Sequence, residues 1–337
     1  MAQLVVAWQA KHGRSHLPWQ NTRDPYRIWL SEVMLQQTQV ATVLDYFSRF
    51  MLRFPDVAAL AAADLDEVLG MWSGLGYYSR ARNLHACARR VVADHGGAFP
   101  RSAAELQTLP GIGRSTAAAI ASFCFDECVA ILDGNVKRVL SRVLAYSGDL
   151  ADGRAEKELW AKATALLPRA ADMPRYTQGL MDLGAGVCAR TKPQCAACPL
   201  RTVCRAYAQQ NPEAYPVKTR KLKRSTQKLW LLWARQPDGS VWLERRPDAG
   251  IWGGLYCLPV FESEEQLAQI LPEGAAQQLE FRPTFRHVLT HKDLYLSPVA
   301  SSAGPIASEF TGGWYAPSAW PSLGVPAPIR KLLESEA

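Results

Sequence analysis

Over the first two hundred residues, apolar side chains recur every three or four positions, the period of amphipathic helices, and strand-like alternation is almost absent. The spacing predicts helices over 31–47, 56–70, 77–94, 102–108, 114–124, 134–146, 154–167 and 175–188. Ser31, Asp56, Ser102 and Asp133 have short side chains that can accept from the free N–H groups of a first turn, and Pro174 suits a first-turn position. After Pro216 the pattern changes. Residues 217–228 contain Lys218, Arg220, Lys221, Lys223, Arg224 and Lys228 and no acid, as an exposed linker would. Beyond them Leu229–Arg235, the turn Pro237-Asp238-Gly239 and Val241–Arg245 read as a β-hairpin. Further strands are expected at 254–261, 285–289, 293–299 and 313–316, and helices near 263–271 and 326–334. The expected organisation is an all-helical domain over 1–216, a basic linker over 217–228 and an α+β domain over 229–337.

Composition adds modest limits. A chain of 337 residues, 48% hydrophobic and 20% charged, has material for two folded cores. No apolar run approaches the roughly 18 residues that span a bilayer. Met1–Arg14 lacks the basic-then-apolar order of a secretory signal, so a cytoplasmic, nucleoid-associated protein with no membrane partner is expected. The net charge of +7 favours a polyanionic partner and leaves a monomer as the default.

The eight cysteines are unevenly placed. Cys87, Cys124, Cys128 and Cys257 are scattered and read as buried small apolar groups. Cys188, Cys195, Cys198 and Cys204 follow a Cys-x6-Cys-x2-Cys-x5-Cys spacing, which can surround a tetrahedral zinc or a [4Fe–4S] cluster. Zinc ribbons usually carry two separated Cys-x2-Cys knuckles, and one such pair is present. Arg190, Lys192, Arg201 and Arg205 lie within or beside the loop, with no acid from Ala185 to Arg205, an arrangement that suits phosphates.

Leu109-Pro110-Gly111-Ile112-Gly113 allows a tight turn into a helix whose first N–H groups point outward. Gly111 and Gly113 could thus serve a DNA phosphate or simply join two helices. Asp133, in Leu132-Asp133-Gly134-Asn135-Val136-Lys137-Arg138, is a helix cap or a functional carboxylate.

Taken together, the hairpin, the downstream aspartate and the four-cysteine loop resemble the helix-hairpin-helix DNA glycosylase superfamily. Ser31–Val40, Gly74–Leu84 and Gln178–Cys188 are similar to signatures of its MutY branch, the adenine glycosylases acting opposite 8-oxoguanine. The likeness covers nearly the whole chain. It implies base excision repair of duplex DNA carrying adenine opposite 8-oxoguanine or guanine, with a [4Fe–4S] cluster on the four cysteines of loop 188–204. Cleaving a purine from deoxyribose builds positive charge on the sugar and negative charge on the base, so it needs an acid and a carboxylate. The resemblance implies Glu32 as the acid that protonates adenine N7, and Asp133 as the carboxylate that stabilises or traps the sugar, supported by Asn135. Both acids are expected near helix N-termini, which favours ionisation; Glu32 must then be kept protonated by burial.

Ser115 stands where the endonuclease III type carries a lysine that attacks the sugar, which implies base removal without an efficient lyase step. Extrusion of the base is implied for Gln37 and Tyr77 as wedges with Leu75 assisting, Thr38 against the lesion strand's base, and Trp19 and Gln178 in the adenine pocket. Core packing is the plain alternative for Trp19, Leu75 and Tyr77. Gln20 replaces an arginine common in the family. Phosphate contacts are expected from Gly111, Gly113, Lys137, Arg190 and Lys192. Gly250–Leu255 and Trp314–Leu333 resemble the family's Nudix-like C-terminal domain, here without a Nudix metal box, so nucleotide hydrolysis is not expected. Its recognition loop falls on Leu289-Thr290-His291, which implies Thr290 and His291 as readers of 8-oxoguanine. A bifunctional endonuclease III-like lyase and a non-catalytic lesion-binding protein are the competing readings.

Overall fold

In the computed structural model, which describes residues 1–219, 223–272, 279–305 and 312–335, Asp24 rather than Ser31 caps the helix carrying Glu32. Asp24 Oδ1 accepts the N–H of Tyr26 at 2.9 Å, and Pro25 occupies the first turn, where no N–H is needed. Ser31 is buried inside the helix and donates to the Ile28 carbonyl at 2.8 Å. Expectation and structure differ because apolar spacing continues across a break. The expected helix 31–47 is two, α2 (Pro25–Leu35) and α3 (Val40–Arg53), preceded by α1 (Ala2–His12). Gln37 reverses the chain between them at φ 59°.

The expected helix 56–70 is likewise two, α4 (Val57–Ala62) and α5 (Leu65–Trp72), the latter capped by Asp64. There follow α6 (Ser79–His95), α7 (Ala103–Leu106), α8 (Arg114–Phe125), α9 (Gly134–Leu144), α10 (Gly153–Ala165), α11 (Met173–Asp182) and α12 (Arg205–Ala208). Ser102 caps α7 and Asp133 caps α9 as expected, and Pro174 sits in the first turn of α11. Past Asp182 the helix widens into a π turn over Leu183–Val187 that delivers Cys188. Here Gly184 is needed, because a Cβ on it would lie 2.5 Å from the Cβ of Asn135.

The described residues form two compact units: Met1–Ala61 with the chain from Ala86 to the basic segment, and Ala62–His85 with the chain after that segment. The first unit is helical. Its core joins Val5 of α1, Ala118 of α8, Ile131, Val136 and Leu140 near and on α9, Leu159 of α10 and Leu180 of α11. Each such buried Val, Ile or Leu side chain contributes roughly 1.5–3 kcal/mol, so the helix ends that build the site rest on a stiff base.

The second unit is α+β with α5 packed into it. A Cβ on Gly70 of α5 would lie 2.0 Å from the Ser322 carbonyl, so only glycine permits that approach. Its strands are β1 (Ser225–Ala234), β2 (Val241–Arg245), β3 (Tyr256–Cys257), β4 (Val260–Phe261), β5 (Glu280–Phe281), β6 (Phe285–Val288), β7 (Lys292–Ser301) and β8 (Gly312–Tyr315). Two helices, α13 (Glu264–Gln269) and α14 (Ala327–Glu334), complete it. One sheet runs β4-β1-β7-β5, with β6 also on β7; the other runs β3-β2-β8.

The expected β1–β2 hairpin is not formed. A single bridge, Arg235 to Val241, joins the two segments among the described residues, and β1 pairs in parallel with β7 from Ser225↔Lys292 to Ala234↔Ser301. The reason lies in the run Leu231-Leu232-Trp233-Ala234, which is buried on both faces and therefore fits a central strand. The Pro-Asp-Gly turn hands the chain to the other sheet. β1 also begins at Ser225, inside the expected linker, while residues 220–222 of that segment lie outside the described residues. No helix of the described residues is long and apolar enough to cross a membrane.

Candidate active site

Helix ends from distant parts of the first unit converge on a cavity of about 1860 Å³. Glu32 and Asp133 both line it. Glu32 lies in the last turn of α2, not the first, so the expectation of an N-terminal site is corrected. The negative end of the helix dipole there disfavours a carboxylate, and burial acts in the same direction. Burial first, and the charge of Asp133 second, raise the Glu32 carboxyl from an ordinary 4.5 to about 8.

Asp133 has a different environment. As the cap of α9 it accepts the Val136 N–H at 2.7 Å, and the Asn135 N–H also stabilises it. Burial raises its carboxyl above the usual range, against those two N–H groups and the nearby Arg138 and Lys137 cations. Cap geometry alone suggests a lowered value; desolvation outweighs it. Among the described residues no N–H or cation comparably supports a Glu32 anion, so Asp133 is the better supported carboxylate of the two. Ser115, at the start of α8, accepts the Leu132 N–H at 3.0 Å and so pins the backbone immediately before Asp133.

Other expected residues line the same cavity: Trp19, Gln37, Thr38, Asn135, Gln178 and Arg190. Trp19 is almost fully buried and meets Phe47 edge-on with ring centroids 5.2 Å apart, so it packs as well as lines. Gln37 is exposed in its left-handed conformation. Gln178 donates through Nε2 to Asp182 Oδ1 at 2.9 Å, and Asp182 is gripped by Arg14. Gly111, at φ 74°, makes the α7–α8 turn, and Gly113 caps α8 with open space around it. Lys137 is ion-paired to Glu156 at 2.7 Å, whereas the Lys192 side chain is exposed.

The four clustered cysteines form no disulfide and line one small cavity together with Val139, Arg142, Leu183 and Leu200. Burial raises the Cys195, Cys198 and Cys204 thiols, that of Cys198 to about 11, and neighbouring sulfurs raise them further. Among the described residues no group of three or more His, Cys, Asp or Glu side chains is arranged to hold a metal ion. Four thiols around one pocket are a donor set that either a zinc ion or an iron–sulfur cluster accepts. The loop is held by α9. Arg138 donates to the carbonyls of Gly184 (2.6 Å) and Cys188 (2.8 Å) and to Asn135 Oδ1 (2.9 Å). Arg142 donates to the carbonyls of Ala189 (2.6 Å) and Arg190 (2.8 Å) and to Cys188 Sγ (3.3 Å). One helix thus links Asp133 to the cysteine loop.

The second unit holds the remaining expected residues. Leu75 is buried. Tyr77 is 44% exposed, left-handed at φ 49° immediately after Gly76, and its hydroxyl is 2.5 Å from Thr290 Oγ1. Thr290 and His291 form the exposed turn between β6 and β7, closed by Leu289 N–H to the Lys292 carbonyl at 2.8 Å. Arg224 donates to the Thr290 carbonyl at 3.1 Å and pairs at 2.5 Å with Asp293, which also meets Arg286 at 3.0 Å. Sequence reasoning missed Arg14, Asp182, Arg138, Arg142, Arg224 and Asp293. Asp182, one helical turn after Gln178, carried a usable signal; the arginines carried none beyond their charge.

Residues 30–164 match the model of the HhH-GPD superfamily base excision DNA repair proteins, and 230–335 match that of the NUDIX domain. The adenine DNA glycosylase of Buchnera aphidicola subsp. Acyrthosiphon pisum is 38% identical over 342 residues, covering 99% of this chain and 97% of that protein. This chain belongs to the adenine DNA glycosylase family. The Mus musculus adenine DNA glycosylase is 47% identical over 212 residues, 60% of this glycosylase and 41% of the mouse protein. Among solved structures, a thermostable thymine-DNA glycosylase superposes with TM-score 0.55 at 29% identity, over 62% of this chain and 95% of its own. A non-covalent endonuclease III–DNA complex (TM-score 0.52, 22% identity, 62% and 94% covered) shares the fold. The glycosylase therefore joins an endonuclease III-like helical part to a Nudix-like α+β part.

Proposed function

We propose that this glycosylase hydrolyses the N-glycosidic bond of adenine paired with 8-oxoguanine or guanine in duplex DNA, and leaves the strand intact. The observation that carries the reading is the unequal carboxyl pair: Glu32, raised to about 8, shares a cavity with Asp133, which has two backbone N–H groups and two nearby cations. At neutral pH Glu32 keeps its proton and delivers it to the base nitrogen as the bond breaks. Asp133 remains the anion facing the sugar and stabilises its developing positive charge. Ser115 has no amine to attack the sugar and instead fixes the backbone before Asp133.

Gln37 and Tyr77 are the residues we assign to displacing the target base, Trp19 and Gln178 those that receive adenine, and Thr38 a contact to the opposite strand's base. Their left-handed backbones favour Gln37 and Tyr77 for such a role, since strain of this kind concentrates at functional positions. Cys188, Cys195, Cys198 and Cys204 would hold a [4Fe–4S] cluster that ties the loop together. Arg190 and Lys192 on that loop, with Gly111 and Gly113, contact phosphates. Lys137 joins them only when it leaves Glu156. Thr290 and His291 read 8-oxoguanine, and the duplex is met in the cytoplasm or nucleoid by a monomer.

The test uses duplexes with adenine opposite 8-oxoguanine, whose products are separated before and after hot alkali. Strand scission only after alkali is expected. Direct nicking would favour a lyase, and binding without base release a non-catalytic lesion binder.

A further inference from the structure

The wall of the cavity that carries Gln178 includes a polar chain whose outer members have no place in the reaction described so far. Asp182 lies one turn further along α11, and its side chain is 3% exposed. Its Oδ1 accepts from Gln178 Nε2 at 2.9 Å, Arg14 Nε at 2.7 Å and Arg14 Nη2 at 2.7 Å; its Oδ2 accepts the Arg14 backbone N–H at 3.0 Å. A carboxylate this buried needs such partners, and the Arg14 guanidinium and backbone N–H supply them. An ionised carboxylate accepts hydrogen bonds and donates none. The Gln178 amide therefore has one orientation, with nitrogen on Asp182 and Oε1 left for the cavity.

We propose that Asp182, backed by Arg14, is a specificity-determining positioning residue. It locks the Gln178 amide with its oxygen toward the bound base, so that the pocket selects a purine with an amino group at C6 over one with a carbonyl there. The inference rests on the assignment of Gln178 to the base pocket. Adenine presents N6–H donors to Oε1. Hypoxanthine presents O6, which would meet Oε1 acceptor to acceptor. Turning the amide would relieve that clash only by setting Oε1 against the Asp182 carboxylate, so the penalty moves and does not vanish. A mismatch of this kind in a buried site corresponds to about tenfold to hundredfold discrimination.

The experiment measures single-turnover release of adenine and of hypoxanthine, each opposite 8-oxoguanine, by the full-length protein. In Asp182→Asn the new amide can donate or accept, Gln178 is free to turn, and the adenine-to-hypoxanthine rate ratio should fall by tenfold or more. A parallel loss on both bases with an unchanged ratio would overturn the proposal and leave Asp182 a structural residue. In a Gln178→Met background, Asp182→Asn should leave the ratio where Gln178→Met alone sets it; a further fall would also overturn it. Should Asp182→Asn not fold, Gln178→Met alone carries the test, with a lowered ratio expected and an unchanged one contradictory. Wild-type protein that releases no adenine would instead reject the functional reading itself.

Discussion

The cavity of the first unit and the exposed turn of the second fix their key groups by opposite means. Asp133 and Ser115 are held by backbone N–H bonds at helix starts, over a core of fully buried aliphatic side chains. Thr290 is held by side chains, with Tyr77 on its hydroxyl and Arg224 on its carbonyl, in a turn open to solvent. Backbone anchoring fixes Asp133 beside Glu32, whose own burial keeps its carboxyl protonated near neutral pH. Side-chain anchoring leaves the polar groups of the turn open to other partners. In the proposed function, proton transfer draws on the first and recognition of a base edge on the second.

The contrast can be broken hardest at Glu32. Glu32→Gln should lower the single-turnover rate on adenine opposite 8-oxoguanine by roughly 10²–10⁴ while duplex binding, followed by gel shift, persists; a fall below tenfold would remove Glu32 as the acid. Next comes the cysteine loop. Cys198→Ser removes one of four sulfurs from a pocket that α9 also grips, and should lower DNA affinity and thermal stability together, measured by anisotropy and melting. Arg224→Ala should act on discrimination, not chemistry: the rate ratio between 8-oxoguanine and guanine partners should fall about fivefold, while the rate opposite guanine changes less than twofold. An equal loss opposite both partners would show that the turn does not depend on this side chain.

The smallest expected effect is on stability, and its sign follows from the raised Glu32 carboxyl. Between an unfolded value near 4.5 and a folded value of about 8, the folded state binds the extra proton, so this group weakens folding as pH rises through that window. Glu32→Gln should therefore stabilise the protein at pH 8 by on the order of 1–2 kcal/mol, discounted for the cavity's solvent. That gain should vanish near pH 4.5. Urea unfolding at the two pH values measures it.

Much of this arrangement was legible in sequence where function follows local spacing. The cap at Asp133, the Pro-Gly-x-Gly turn and the four-cysteine interval are all short-range patterns, and each marks a local structural feature. Contacts that join remote segments left no such trace. Arg14 reaches Asp182 across 168 residues, and Arg224 meets Asp293 across 69. Apolar periodicity ran straight through the break at Gln37, because both flanking helices bury an apolar face. It therefore hid that Glu32 ends a helix, and a supposed opposition between dipole and burial became agreement. The Pro-Asp-Gly turn was read correctly as a turn but wrongly as a hairpin, since turn chemistry alone does not say which sheet receives the next strand.

The central claim is that a protonated Glu32 and an anionic Asp133 face one cavity and feel each other. Carbon-13 titration of glutamate carboxyl groups in the full-length protein, with Glu32→Gln for assignment, tests it directly. The account predicts a Glu32 midpoint at about 8 that falls when Asp133 is replaced by asparagine. A midpoint near 4.5, indifferent to Asp133→Asn, would contradict it.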